Sequence, residues 1–313
     1  MASNRRSGSA LLTVLWLTAA LSAIGLAVAN NVRGETERAA TNVDDVKAYF
    51  IARGAVERAA MRMFWGQDYF TPSTVAMDLP FPNALVRVEI IPETSKLSLN
   101  YTPPEELRRL LIALGAPEDR AFEITEAIVD WRTPVPPDQQ SPFDAFYLAQ
   151  SPSFLPRHAS FTENEELLQV KGITPDLFFG ASLDDSRAGL RDCLSAFALG
   201  GSVDINTARA ETMVALGVNP DDAATIVKSR REHPIRDYKE LADIQQSLGP
   251  AGNHLRLGGN VMYTLRATAQ LKQPDGKPSD MRRTVSALIR LIYAGVKTGR
   301  APGFDVVRWY DRN

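Results

Sequence analysis

The chain has 313 residues, of which 44% are hydrophobic, with 35 basic residues against 37 acidic ones and a single cysteine. Such a balance excludes a global cationic field of the kind that holds nucleic acid. A lone thiol, Cys193, excludes an intramolecular disulfide, so packing or bound ions must hold the fold, and Cys193 itself reads as a small buried hydrophobe.

Arg5 and Arg6 precede an uncharged run that ends only at Arg33. Residues 10–29, with Leu11, Leu12, Leu15, Trp16 and Leu17 at their start, supply about the 20 apolar residues that cross a hydrocarbon core as a helix. The positive-inside bias keeps Arg5 and Arg6 cytoplasmic and puts everything after Arg33 on the far side. Ala27-Val28-Ala29 also fits a signal-peptidase site, and a plain stop-transfer anchor needs nothing special around Gly8. Against cleavage at Ala29 stands the sequence downstream. Val43, Val46, Phe50, Val56, Ala59, Ala60, Met63 and Phe64 recur at spacings of three, four and seven, the pattern of an amphipathic stem that continues the membrane helix.

Beyond the stem, residues 85–91 alternate, with Arg87 and Glu89 on the outer side. Residues 92–95 read as a turn and 96–99 alternate again, which predicts a hairpin. From Pro103 to about Leu248 the pattern becomes one of short helices separated by Gly, Pro and Asp. Alternation returns in residues 262–271 and 283–291, on either side of a turn-rich stretch at 273–278. The expected class is therefore α+β, with a helical block interrupting an antiparallel sheet.

The helical block contains an internal repeat. Val203-Asp204-Ile205-Asn206, Leu216-Gly217 and Arg230 echo Leu97-Ser98-Leu99-Asn100, Leu114-Gly115 and Arg132. Asparagine and glycine stand 15 residues apart in the first copy and 11 in the second, and glycine and arginine 17 and 13 apart. Each copy predicts helix, glycine turn, helix, and residues 167–173 form a partial third copy; these are helix-hairpin-helix or SAM-like units. Such hairpins hold DNA through backbone N–H groups at a helix N-terminus. Here the turns read Gly217-Val218-Asn219-Pro220-Asp221-Asp222 and Gly115-Ala116-Pro117-Glu118-Asp119. A proline removes a donor and the acids repel phosphate, so packing units are the stronger reading.

Arg5-Arg6-Ser7-Gly8-Ser9-Ala10-Leu11-Leu12 resembles the leader and cleavage site of a type IV prepilin or pseudopilin. The resemblance implies cleavage by a prepilin peptidase between Gly8 and Ser9 and methylation of Ser9. Most such subunits carry Glu at the fifth position after the cut, where this chain has Thr13. The carboxylate's suggested partner is a neighbouring subunit's amine, so its loss suits a subunit with no neighbour above it. Further along come Lys96-Leu97-Ser98-Leu99-Asn100, Ala127-Ile128-Val129-Asp130-Trp131-Arg132, Phe143-Asp144-Ala145-Phe146-Tyr147, residues 165–173 and Asp204-Ile205-Asn206-Thr207-Ala208. In that order they are similar to the type II secretion system minor pseudopilin K, the general secretion pathway protein K family.

The resemblance implies a pseudopilin fold, a long N-terminal helix packed on an antiparallel sheet, with a large all-α domain of SAM-like units inserted into that sheet. The implied layout is a leader at 1–8, the helix at 9–64, sheet at 65–100, inserted domain at 101–250 and sheet again at 251–313. It also implies calcium, bound in the helical domain by an acidic loop after Asp-Trp-Arg. Here that loop offers Asp138 and Asp144, a thin set for a cation that takes six to eight oxygens, and the competing reading is a proline-stiffened surface loop.

The function so implied is assembly, not catalysis. The protein is expected in the bacterial inner membrane, single-pass, with its head in the periplasm. Its stem, including Val43, Val46 and Phe50, is expected to pack on minor pseudopilins I and J. At the tip of the pseudopilus it would nucleate or cap the filament and touch secreted substrates. A membrane-anchored helix-hairpin-helix receptor for DNA is the alternative from another class, and an extracytoplasmic enzyme a distant third.

Overall fold

The computed structural model describes residues 7–63, 65, 70–136, 138–180, 187–259, 261–273, 275–292 and 303–310. Helix α1 (Ser7–Arg62) runs unbroken through 56 residues, about 84 Å at 1.5 Å per residue. From Ala10 it is long and apolar enough to cross a membrane, and its apolar window buries nothing inside the protein. Phe64, the last residue of the expected stem, lies outside the described residues, as do Arg5 and Arg6.

The second half of α1 lies on a five-stranded antiparallel sheet. Its strands are β1 (Ala76–Phe81), β2 (Ala84–Pro92), β7 (Met262–Lys272), β8 (Pro278–Ile292) and β9 (Gly303–Tyr310), in the order β1-β2-β7-β8-β9. Period-two alternation puts Val86, Val88, Ile90, Leu265, Ala267, Val285, Ala287 and Ile289 on the face that meets α1. From the helix side this core receives Ala48, Ala52, Ala55 and Ala59, all fully buried, with Val56, Ala60 and Met63. Small side chains at these positions let the helix axis come close to the sheet, so the seam is packed by the strand residues.

Strands β2 and β7 are neighbours with Ala84 opposite Leu271 and Pro92 opposite Tyr263, although about 170 residues separate their ends. The chain leaves the sheet at Pro92, builds a second hydrophobic core, and re-enters at Met262. That second unit contains β3 (Leu97–Ser98), α2 (Pro104–Ala113), α3 (Glu118–Arg132), α4 (Asp144–Leu148), α5 (Pro175–Phe179) and α6 (Leu190–Cys193). It continues with β4 (Leu194–Ser195), β5 (Val203–Asp204), α7 (Ala210–Ala215), α8 (Pro220–Glu232), α9 (Tyr238–Leu248) and β6 (Leu255–Arg256).

Three expectations change. Residues 96–99 do not close a hairpin with β2. Glu93–Ser95 instead forms a buried 3-10 turn that directs the chain off the sheet, and β3 pairs in parallel with β4 inside the insert. The hairpin partner of β2 is β1, with Phe81 opposite Ala84 across Pro82-Asn83. Pro80 is tolerated there because β1 is an edge strand, where a missing N–H breaks no ladder. Finally, the insert is not purely helical: β3 with β4 and β5 with β6 form two short parallel pairs. The sheet portions accordingly end at Pro92 and resume at Met262, inside the expected limits of 100 and 251.

The junction is held by Glu93, which is 2% exposed. Its Oε1 accepts from Thr264 Oγ1 on β7 at 2.6 Å, and its Oε2 accepts from Ser195 Oγ on β4. Lys96 Nζ stands 3.6 Å away. One carboxylate thus ties sheet to insert.

Candidate functional site

Gly8 and Ser9 fall in the first turn of α1. Leu11, Leu12, Leu15, Trp16 and Leu17 all project outward, with Leu11 76% and Trp16 74% exposed. This is the surface that hydrocarbon would cover.

Farther along α1 the apolar stripe divides. Val56, Ala59, Ala60 and Met63 are buried against the protein's own sheet, so that half is not free for partners. Val43, Val46 and Phe50 are 52%, 53% and 62% exposed. At 100° per residue they lie on the face opposite Ala48, Ala52 and Ala55. The stem is fixed in rotation by that alanine seam and by two further contacts. Arg53 lies over the Trp309 ring of β9 at 4.4 Å, and Arg283 of β8 reaches Asp45 at 3.6 Å. The sheet therefore determines which face of the helix remains open.

In the insert the repeat has a physical basis beyond sequence likeness. Arg132 donates to the Leu99 and Thr102 carbonyls at 2.8 and 2.7 Å; Arg230 donates to those of Ile205 and Ala208. The Asn100 amide group brackets Phe161, donating to its carbonyl at 3.0 Å and accepting from its N–H at 2.7 Å. Asn206 brackets Ile235 at 2.8 and 2.9 Å in the same way. Asn164 repeats the device a third time on the Leu194 carbonyl and the Ala196 N–H. Gly115 and Gly217 close the hairpins at φ +92° and +96°, a region other residues rarely enter. The sequence spacing exposed Asn100, Asn206, the two glycines and the two arginines, but not Asn164. Their acceptors, being backbone groups far along the chain, left no signal.

The hairpin turns are unsuited to phosphate. α8 begins at Pro220, has Asp221 and Asp222 in its first turn, and spends its Asp221 N–H on Asn219 Oδ1 at 2.9 Å. α3 begins with Glu118 and Asp119 behind Pro117. Cys193 is fully buried, and desolvation pushes its thiol up to about 12.

The two acids that the resemblance implies as calcium ligands sit in different surroundings. Asp138 is exposed, whereas Asp144 is 7% exposed and already engaged. Its Oδ2 accepts from the Ser141 N–H at 2.9 Å, and its Oδ1 faces His158 Nε2 at 2.9 Å. Among the described residues no group of three or more His, Cys, Asp or Glu side chains is arranged to hold a metal. The donor set does not fit a hard cation, which takes six to eight oxygens at 2.3–2.6 Å. His158, distant in sequence from its partners, gave no sign of this role.

Residues 83–179, from the turn before β2 through α5, match the family model for type II secretion system (T2SS) protein K. No curated protein matches the chain. Among solved structures, a chain of the GspK-GspI-GspJ complex from the type 2 secretion system of enterotoxigenic Escherichia coli is similar in fold. The TM-score is 0.52 at 16% identity, covering 90% of this chain and 99% of that one. Residues 83–179 are thus similar to type II secretion system protein K, and over 90% of its length the chain shares a fold with a chain of that complex.

Proposed function

We propose that this protein is the K-type minor pseudopilin of a type II secretion system. A prepilin peptidase removes residues 1–8 at Gly8-Ser9, α1 stays in the inner membrane, and the head stands in the periplasm. The open stem face packs on minor pseudopilins I and J, and the insert obstructs the addition of a further subunit, so the protein occupies the tip of the pseudopilus. The observation that carries this reading is the exposure of Val43, Val46 and Phe50 on a helix whose opposite face is committed to its own sheet. An apolar strip held in fixed orientation on a rigid helix is a surface for helix packing. Two findings support the choice of partners: the family match of residues 83–179, and the fold shared with a complex that contains GspI and GspJ.

The test is to express the full chain with its cognate I and J pseudopilins and prepilin peptidase, then extract in detergent. Mass spectrometry should find a mature chain that starts at Ser9 and carries one methyl group, in a complex with both partners. A chain beginning at Asn30, or one that purifies alone beside both partners, would overturn the proposal.

A further inference from the structure

Between α3 and α4 lies a loop with Pro134, Pro136 and Pro142, the segment where the family resemblance implies a cation. We infer that in this protein the loop is closed by a metal-independent clasp in which His158 occupies the place of the cation. Four residues build it. Ser141 Oγ donates to Asp130 Oδ1 at the end of α3 and accepts from the Phe143 N–H at 3.1 Å. The Ser141 N–H donates to Asp144 Oδ2 at 2.9 Å, which joins the loop to the first turn of α4. His158 then lies against both acids, with Nε2 2.9 Å from Asp144 Oδ1 and Nδ1 3.3 Å from the Asp130 carbonyl and 4.0 Å from Asp130 Oδ2.

Three features set this apart from an incidental contact. Side-chain exposure is only 14% for His158, 12% for Asp130 and 10% for Asp144, so the groups answer chiefly to one another. Nε2 stands at hydrogen-bond distance from the Asp144 carboxylate and Nδ1 from the Asp130 backbone carbonyl, so whichever ring nitrogen carries a proton has an oxygen acceptor. His158 also has φ +46°, a left-handed conformation uncommon in residues with a side chain. The neighbouring Ala159 N–H is fixed on the Trp131 carbonyl at 3.1 Å, which holds that backbone against the end of α3. A calcium ion on Asp144 Oδ1 at 2.3–2.6 Å would compete with the imidazole for that oxygen.

The experiment is amide hydrogen exchange, read by mass spectrometry on the full chain in detergent, with or without millimolar calcium and with a calcium chelator. The expected result is that exchange of the 138–146 segment is the same in all three conditions. His158→Ala should speed it about tenfold or more, as loss of a hydrogen bond to a charged group implies, while β7 stays protected. If His158→Ala also exposes β7, Ser141→Ala carries the test: it leaves the imidazole in place, cuts the Asp130 and Phe143 links, and should speed the same segment alone. Calcium slowing wild-type exchange in this loop, or exchange unchanged in both variants, would overturn the clasp.

Discussion

Glu93→Ala should loosen the insert from the sheet while leaving each with its own core. The wild-type carboxylate is 2% exposed and receives Thr264 Oγ1 from the sheet side, Ser195 Oγ from the insert side and the Lys96 ammonium at 3.6 Å. Each hydrogen bond to a charged acceptor is worth about 1.5–3 kcal/mol, and breaking a buried pair by removing one partner costs about 3–5 kcal/mol. These terms share one group and do not add, so about 3–5 kcal/mol is the expected loss for alanine. Glu93→Gln keeps the shape and one acceptor, and its amide can donate to a hydroxyl; about 1–2 kcal/mol is expected there. Urea unfolding of the full chain in detergent, followed by fluorotryptophan NMR, separates the two regions. Trp131 is buried in the insert against Phe161, and Trp309 lies on β9. Alanine should cost clearly more than glutamine, and the Trp131 and Trp309 transitions should separate in the alanine variant. Losses below about 0.5 kcal/mol for both variants, the range of an ordinary surface substitution, would refute the assignment of Glu93 as the junction.

Other consequences concern the repeat, the stem seam and one buried acid. Arg132→Lys and Arg230→Lys should each cost about 1.5–3 kcal/mol in urea unfolding, because an ammonium cannot span two carbonyls in the fork geometry of a guanidinium; a neutral result for both would remove the repeat's structural basis. Ala52→Leu should destabilise by about 1–3 kcal/mol through overpacking of the helix against the sheet, and a stabilised variant would show that the seam is loose. Burial pushes the Asp204 carboxyl above its ordinary range, against the pull of Thr207, the Gly258 N–H, Arg230 and the Asn206 N–H. A carboxyl raised in the folded state contributes stability below its unfolded pKa, and loses it as pH rises through the folded pKa. Wild type should therefore gain stability relative to Asp204→Asn as pH falls from the folded pKa to the ordinary carboxylate value and gain nothing further below it. Urea midpoints across that range check the sign.

The parts of the fold that were legible in the sequence are those governed by periodicity. Alternation at 85–91 and 262–271 marked two strands because each has one buried face, whereas 283–291 was marked as a strand although Val285 through Ile289 are buried on both faces. The return of alternation after Asn260 marked the helical block as an interruption. Alternation does not name a partner, which is why residues 96–99 looked like the second arm of a hairpin. Pro80 and Pro82 obscured β1, where Met77 and Leu79 do alternate. On the stem, spacing identified the apolar positions but could not say which water-free surface each would meet. That was decided by the sheet, which takes Val56, Ala59 and Ala60 and leaves Val43, Val46 and Phe50. The His158 clasp was illegible for a different reason. Its bonds join residues 130, 141, 144 and 158 through a loop whose path no local pattern fixes.

If the open stem face receives pseudopilins I and J, as proposed, site-specific photocrosslinking of the assembled complex will show it. A photoreactive residue placed at Val46 or Phe50 in the full chain should crosslink to pseudopilin I or J. The same residue at Tyr238, 68% exposed on α9 of the insert, should not. Crosslinks from Tyr238 alone, or none from either stem position while the three proteins still co-purify, would mean that a surface other than the stem receives the partners.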